Sequence, residues 1–289
     1  MPTTHPRVSI VLPTFNGSKY IKQSIDSCLN QTYPNIELII VDDCSTDNTP
    51  EIIKSYKDKR ITYLRHGKNQ GLPRSLNTGF AHASGDYLAW TSDDNYYAEQ
   101  AIEKELSFLI EKNCSFVYCD YYKFTDENPS KLDLWKLGDS LALDKLNGVG
   151  PCILYSRNVK EAVGEYDPEI ELAEDYDYWI RVSKKFPMRH LAEPLYFYRE
   201  HPNSLTTARF YEVRVAEILA KSKNQILNDK AINYFIYLCA RKYPKWFWIN
   251  RAARILLKRK VLKRLQDFES GKSSLKETRK QLMELLNSN

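Results

Sequence analysis

Two β-branched apolar runs near the start of the chain, residues 8–13 and 36–41, give way abruptly to polar, turn-forming clusters, Thr-Phe-Asn-Gly and Asp-Asp-Cys-Ser. Short apolar runs bounded by such clusters are strands buried on both faces, as in a parallel sheet. Between them Tyr20, Ile21, Ser24, Ile25, Cys28 and Leu29 recur at helical spacing, which makes a strand–helix–strand unit. The pattern repeats with a helix at 49–57, a strand at 61–65, a helix at 75–83 and a strand at 86–90 ending in Thr-Ser-Asp-Asp. The fold class is therefore α/β, a doubly wound, mostly parallel sheet. Ligands of such sheets bind at the carboxyl ends of the strands, so 14–17, 42–45 and 91–95 converge on one crevice.

Downstream, a helix at 98–112 precedes a strand at 115–124, and the polar, Pro-containing stretch 125–140 reads as an irregular excursion. A strand at 151–155, a helix at 174–185 and a last strand at 195–199 follow, and from about Arg209 the pattern is helical. With 289 residues and 43% hydrophobic side chains, the chain buries about three quarters of its unfolded surface. Its net charge of +5 is concentrated late: 241–264 carries ten Lys and Arg and no acid. The six cysteines lack CxxC spacing, which points to a reducing compartment and no zinc. The opening Met-Pro-Thr-Thr-His-Pro-Arg runs straight into a strand without a signal-peptide pattern, and the apolar stretch 234–240 is far short of the ~20 residues that cross a bilayer. A cytoplasmic protein is expected, meeting a membrane, if at all, peripherally at its inner face.

Four clusters carry candidate chemistry. Asp93-Asp94 either holds a hard divalent cation through oxygen ligands or caps the helix at 98–112. Asp42-Asp43 is a second carboxylate patch or turn chemistry with Ser45, Thr46 and Asp47. No GxGxxG turn or GxxxxGK[ST] loop accompanies them, which argues against a dinucleotide-dependent dehydrogenase and a P-loop ATPase; a diphosphate here needs a cation instead. Glu174-Asp175-Tyr176-Asp177 opens a helix, so Asp175 is a general base or the group merely suits the helix dipole. His201, in Tyr198-Arg-Glu-His-Pro-Asn-Ser204, offers an imidazole to metal or phosphate, or is simply exposed.

Val8-Ser-Ile-Val-Leu-Pro-Thr-Phe-Asn-Gly17, Val41-Asp-Asp-Cys-Ser-Thr-Asp-Asn-Thr49, Asn69-Gln-Gly-Leu72, Gly85-Asp-Tyr-Leu88 and Ser92-Asp-Asp94 resemble, in order and spacing, the GT-A glycosyltransferases of family 2. The resemblance covers about residues 7–205. It implies a GT-A catalytic domain over 1–208, with a nucleotide-sugar half at about 1–97 and an acceptor half at about 98–208, and a helical, basic region over 209–289. It implies Pro13, Thr14 and Phe15 around the base and Asp43 accepting a base N–H, which favours a UDP-sugar. Asp93 would face the ribose or diphosphate, with Arg74 and Asn77 near the phosphates, while Asp94 and His201 hold Mn²⁺ or Mg²⁺. Asp175 would be the base of an inverting transfer to a hydroxyl acceptor, saccharide or lipid-linked saccharide, with Glu174 and Trp179 on the acceptor side, in polysaccharide or glycolipid assembly. Two positions depart from the family's commoner pattern: Thr91, where many relatives are acidic, and Leu76, often Arg. They leave room for an inactive nucleotide-sugar-binding scaffold. A sugar nucleotidyltransferase lacks support, since no Gly-rich, Arg-containing loop follows the first strand. In the basic run 241–264, aromatic residues from Tyr243 to Ile249 interleave with charge, which suits either a membrane surface or packing on the catalytic domain. No recognised nucleic-acid motif accompanies it, so nucleic acid is not an expected partner.

Overall fold

The computed structural model describes residues 5–139, 141–242 and 251–287, with backbone alone at 239–242, 251–254 and 287. The chain divides into two compact units, one of Met1–Leu141, Gly148–Tyr166 and Arg181–His201, the other of Ala142–Asn147, Asp167–Ile180 and Pro202–Asn289.

The first unit holds a sheet to which nine strands of the described residues contribute. Its parallel block is β3 (Ile61–Arg65), β2 (Ile36–Asp42), β1 (Val8–Thr14) and β4 (Tyr87–Trp90), with Ile10 facing Leu38 on one side and Ala89 on the other. β1 is buried along its whole length, as a run without polar alternation requires. One face is packed by α1 (Ile21–Leu29) through Ile21, Ile25 and Cys28, each such side chain contributing roughly 1.5–3 kcal/mol by leaving water. α2 (Thr49–Ser55) links β2 to β3, and α3 (Leu72–His82) lies against β1 and β2. A Cβ at Gly79 of α3 would stand 2.3 Å from Val11 Cγ1, so the helix lies this close only because the residue is glycine.

The remaining strands are β5 (Tyr96–Tyr97), β6 (Phe116–Thr125), β7 (Asn128–Trp135), β8 (Ile153–Ser156) and β9 (Arg189–Glu200). β8 joins β4 to β6 by antiparallel pairing, β6 pairs β9 in parallel, and β5 closes that side against β9. Three sequence expectations are corrected. The helix after β5 is α4 (Ala101–Glu111), with Gln100 at its N-cap position, so Asp93-Asp94 does not cap it. The stretch 125–140 is not irregular: it contains β7, paired antiparallel with β6 and exposed at every residue, so no buried face marked it in the sequence. β9 starts six residues before the expected 195, with register shifts opposite Asp120 where pairing with β6 is interrupted. A short helix, α5 (Arg157–Val163), was not anticipated by periodicity.

The second unit takes the first part of α6 (Glu174–Ser183), then α7 (Leu205–Ala208), α8 (Phe210–Lys223), α9 (Asp229–Lys242), α10 (Arg251–Glu269) and α11 (Leu275–Asn287). Val215, Leu219, Phe235, Val261, Leu265 and Leu282 are buried where these helices pack on one another. It is thus more than the tail 209–289, because 142–147 and 167–180 fold with it. No described helix is long and apolar enough to cross a membrane.

Candidate active site

The ends of β1, β2 and β4 are laced together by the polar clusters that follow them. Asp43 N donates to Thr14 O (2.8 Å), Asn16 N to Ser45 Oγ (2.9 Å), and Ser18 N to Asp47 Oδ2 (3.0 Å). Asp42 and Asp43 are both buried and well supplied with donors. Asp42 accepts from Ser45 N (2.7 Å) and the Tyr63 hydroxyl (2.8 Å). Asp43 Oδ1 accepts from Gln70 N (2.8 Å) and meets His66 Nδ1 (2.7 Å), while Oδ2 accepts from Gly71 N (2.8 Å). This pins the loop before α3, whose N-cap position is Gly71 at φ +86°, a conformation natural to glycine. Pro13 is buried in β1, whereas Phe15 is 49% exposed at its end.

Asp93 stands against that strand end. Its Oδ2 accepts from Thr14 Oγ1 at 2.5 Å, and a Cβ on Gly17 would fall 2.1 Å from the same oxygen, so Gly17 makes room for the carboxylate. Desolvation by the packing around it, then the neighbouring Asp94 charge, pushes the Asp93 carboxyl up to about 7. Asp94 Oδ2 meets His201 Nε2 at 3.0 Å, and the imidazole rests against the Tyr20 ring, centroids 5.2 Å apart. Asp94 Oδ1 is buried with no hydrogen-bond partner. An unpartnered carboxylate oxygen beside an imidazole nitrogen is a donor set suited to a divalent cation such as Mn²⁺, and less closely to Mg²⁺, which prefers oxygen throughout.

The two departures from the family pattern are explained by burial. Thr91 is 1% exposed and hydrogen-bonds the Tyr196 hydroxyl (2.6 Å), and Leu76 is also sealed, so both face the core. Arg74 is exposed in the first turn of α3, with a single long contact to Gln70 O (3.4 Å). Asn77 has a different task from the one expected near a diphosphate: its Nδ2 donates to Tyr166 O and its Oδ1 accepts from Tyr166 N, both at 2.8 Å. The amide braces that main chain.

In the second unit, Asp175 is partly accessible at the start of α6, its Oδ2 accepting from Asn147 Nδ2 (2.9 Å) and its Oδ1 from Tyr176 N (2.6 Å). Burial raises the Asp175 carboxyl above its usual range; Glu174 is raised too, by burial and by the adjacent Asp175 charge. Glu174 Oε2 is buried without a partner. Trp179, expected on the acceptor side, is 1% exposed and meets Tyr178 edge-on, the position of a packing residue. Asn147 was invisible to sequence reasoning because it lies in an unpatterned segment; only its chemistry as an amide donor could have suggested it.

A further cluster lies inside the sheet. Glu105 Oε1 is 3.5 Å from both Cys119 Sγ and Cys152 Sγ, and all three are sealed. Burial pushes Glu105 up to about 8, Cys152 to about 12 and Cys119 well above its usual value, because the sealed packing disfavours the charged form of each.

Residues 9–161 match the family described as Glycosyl transferase family 2. The chain is 33% identical over 197 residues to an uncharacterized glycosyltransferase of Rickettsia felis, covering 63% of this chain and 32% of that protein, so it spans about a third of that relative's length. It is 29% identical over 238 residues to the Escherichia coli protein named UDP-Glc:alpha-D-GlcNAc-diphosphoundecaprenol beta-1,3-glucosyltransferase WfaP, covering 80% of this chain and 92% of that one. Among solved structures, TarS 1–349 of S. aureus superposes with a TM-score of 0.64 at 18% identity, over 98% of this chain and 92% of its own. That likeness extends to the fold, which is GT-A.

Proposed function

The chain belongs to glycosyl transferase family 2, and from that premise we propose that it moves a sugar from a nucleoside diphosphate donor, UDP-linked, to a hydroxyl of a saccharide or lipid-linked saccharide, with inversion, in polysaccharide or glycolipid assembly. The observation that carries this reading is the Asp94 carboxylate: one oxygen at His201, the other buried and unpartnered, beside Asp93 at a strand end. The UDP-sugar and the lipid-linked acceptor in the name of the E. coli relative support the choice of substrates.

In this reading the exposed Phe15 ring meets the base, and Asp43 Oδ2, holding one hydrogen bond, accepts the imide N–H of uracil. Arg74 reaches the diphosphate and Asp93 the ribose or diphosphate. Asp94 and His201 would hold Mn²⁺ or Mg²⁺, which would supply charge neutralisation to the departing diphosphate. Asp175 takes the acceptor proton as the acceptor oxygen bonds to the anomeric carbon and the bond to the diphosphate breaks. Asn147 keeps Asp175 oriented and favours its ionised form. Glu174 lies on the acceptor side as a neutral acid beside that base. For the basic region, Ile255 and Leu256 are exposed among cations while Val261 and Leu265 are buried, so α10 combines a packing face with a face suited to anionic lipid; 243–250 lie outside the described residues. Sedimentation with anionic against neutral vesicles checks that last element.

The test of the reaction is a binding and hydrolysis screen of UDP-, dTDP-, GDP- and CMP-sugars, with and without Mn²⁺, for the wild type, Asp94→Ala and Asp175→Ala. Metal-dependent release of UDP, lost in Asp94→Ala, is the expected result. No binding of any donor with metal and saccharide acceptors present would sink the proposal, and binding of a donor without release of its nucleotide would favour the nucleotide-sugar-binding scaffold.

A further inference from the structure

Arg199 lies two residues before His201 and is 7% exposed, an uncommon burial for a guanidinium. Each of its three side-chain nitrogens has an acceptor. Nη1 donates to Asp126 Oδ1 and Nη2 to Gln23 Oε1, each at 2.5 Å, and Nε donates to the main-chain oxygen of Asp94 at 3.0 Å. The plane is enclosed by the rings of Tyr20 and Phe124, with Cζ 4.4 and 4.6 Å from their centroids. Asp126 carries the opposing charge and is held well below the usual carboxylate range, by Lys19 first, then by the Tyr20 hydroxyl and Arg199.

Two of these contacts act on the Asp94–His201 pair. The Arg199 side chain binds Asp94 O while its backbone N donates to Asn95 Oδ1 (2.7 Å), so one residue grips the chain on both sides of the peptide that follows Asp94. The Tyr20 ring that covers the guanidinium is also the ring against which His201 rests. The direction of the Asp94 carboxylate and the tilt of the His201 imidazole are thus set by the same planar fork.

We propose that Arg199 is the positioning residue of the Asp94–His201 pair, fixing the two donor groups at the separation a divalent cation requires. This rests on the reading of that pair as a cation site. A lysine keeps the charge but is a compact point charge without the fork, so it cannot serve Asp126, Gln23 and Asp94 O together. The effect reaches the cation through the orientation of its ligands, as partners behind metal ligands commonly do.

The experiment is Mn²⁺ titration of the full chain by electron paramagnetic resonance, with UDP present, for the wild type, Arg199→Lys and Asp94→Ala, beside UDP binding without metal and thermal melting. Arg199→Lys is expected to weaken Mn²⁺ about tenfold, with metal-free UDP affinity unchanged. Wild-type Mn²⁺ affinity in a folded Arg199→Lys, with any loss confined to the melting temperature, would overturn the proposal. Should that variant not fold, Asp126→Asn, whose side chain is a third exposed, carries the test with an expected loss of about threefold; no loss there overturns the proposal too. A wild type that binds Mn²⁺ no better than Asp94→Ala overturns the cation reading itself and this inference with it, an outcome distinct from a cation site indifferent to residue 199.

Discussion

Two Asp-Asp pairs end the strands on either side of β1, and the surrounding chain treats them differently. At the end of β2, Asp42 and Asp43 draw in the N–H groups of Ser45, Gln70 and Gly71, the Tyr63 hydroxyl and the His66 ring. At the end of β4, Asp93 has the Thr14 hydroxyl on its carboxylate, while Asp94 keeps one buried oxygen unpartnered. The cause lies in the path the backbone takes after each pair. Cys44, at φ 69°, turns the chain back so that amides point at the carboxylates, and the start of α3 adds two more. After Asp94 the chain leaves at once into β5, and Asn95 spends its side chain on Arg199 N. Asp42 and Asp43 spend most of their acceptor capacity on building a loop, with Asp43 Oδ2 holding a single hydrogen bond, whereas Asp94 Oδ1 holds none.

Breaking the contrast at Asp94 gives the largest effect. Asp94→Ala should lose on the order of 10³-fold in kcat with no loss of melting temperature, since it removes a charge that repels Asp93. A variant that melts early yet stays active would show that Asp94 is structural. The opposite outcome is expected at Asp43: Asp43→Ala leaves the Gln70 and Gly71 amides without their acceptor and should cost about 3 kcal/mol in urea unfolding.

Glu105 sharpens the comparison from within the core, because it too has an unpartnered oxygen yet is sealed. Its carboxyl stands at about 8 against an ordinary 4.5, so between those values the folded chain holds a proton that the unfolded chain has released. Stability therefore falls as pH rises through that window, by at most about 1.4 kcal/mol per pH unit. Glu105→Gln lacks this dependence, and its melting temperature should gain on the wild type more at pH 8 than at pH 5. The smallest effect is at Asn147: removing its hydrogen bond to Asp175 disfavours the carboxylate, so in Asn147→Ala the acid limb of the kcat/KM profile moves to higher pH. An unmoved limb would argue against Asp175 as the titrating base.

The first half of the fold is legible in the sequence because its strands are buried on both faces and announce themselves as uninterrupted apolar runs, with polar, turn-forming clusters at their ends. β7 is not, being exposed throughout, nor is the start of β9, where Arg189, His190, Glu193 and Pro194 obscure a strand. Among the candidate site residues, motif position predicts strand ends better than side-chain direction. Trp179 follows an acidic cluster yet faces inward, and Asn77 turns to Tyr166. Arg199, in the segment 198–204, shows no role in the sequence, because its partners Gln23, Asp94 and Asp126 come from three distant segments. Its one local signal is a cation directly after the aromatic run Tyr196-Phe197-Tyr198.

β7 carries a further consequence. Its pairing among the described strands is with β6, so its outer side presents main-chain groups that another extended chain can zip onto. The strand also displays Leu132, Leu134 and Trp135 to solvent, which makes such stacking adhesive. Three residues counter it: Pro129 has no amide proton to offer, and Lys131 and Asp133 would force desolvation of charge on any incoming strand. They act as gatekeepers, and a chain that lost them would be exposed to runaway edge-to-edge self-association at high concentration while its chemistry remained intact.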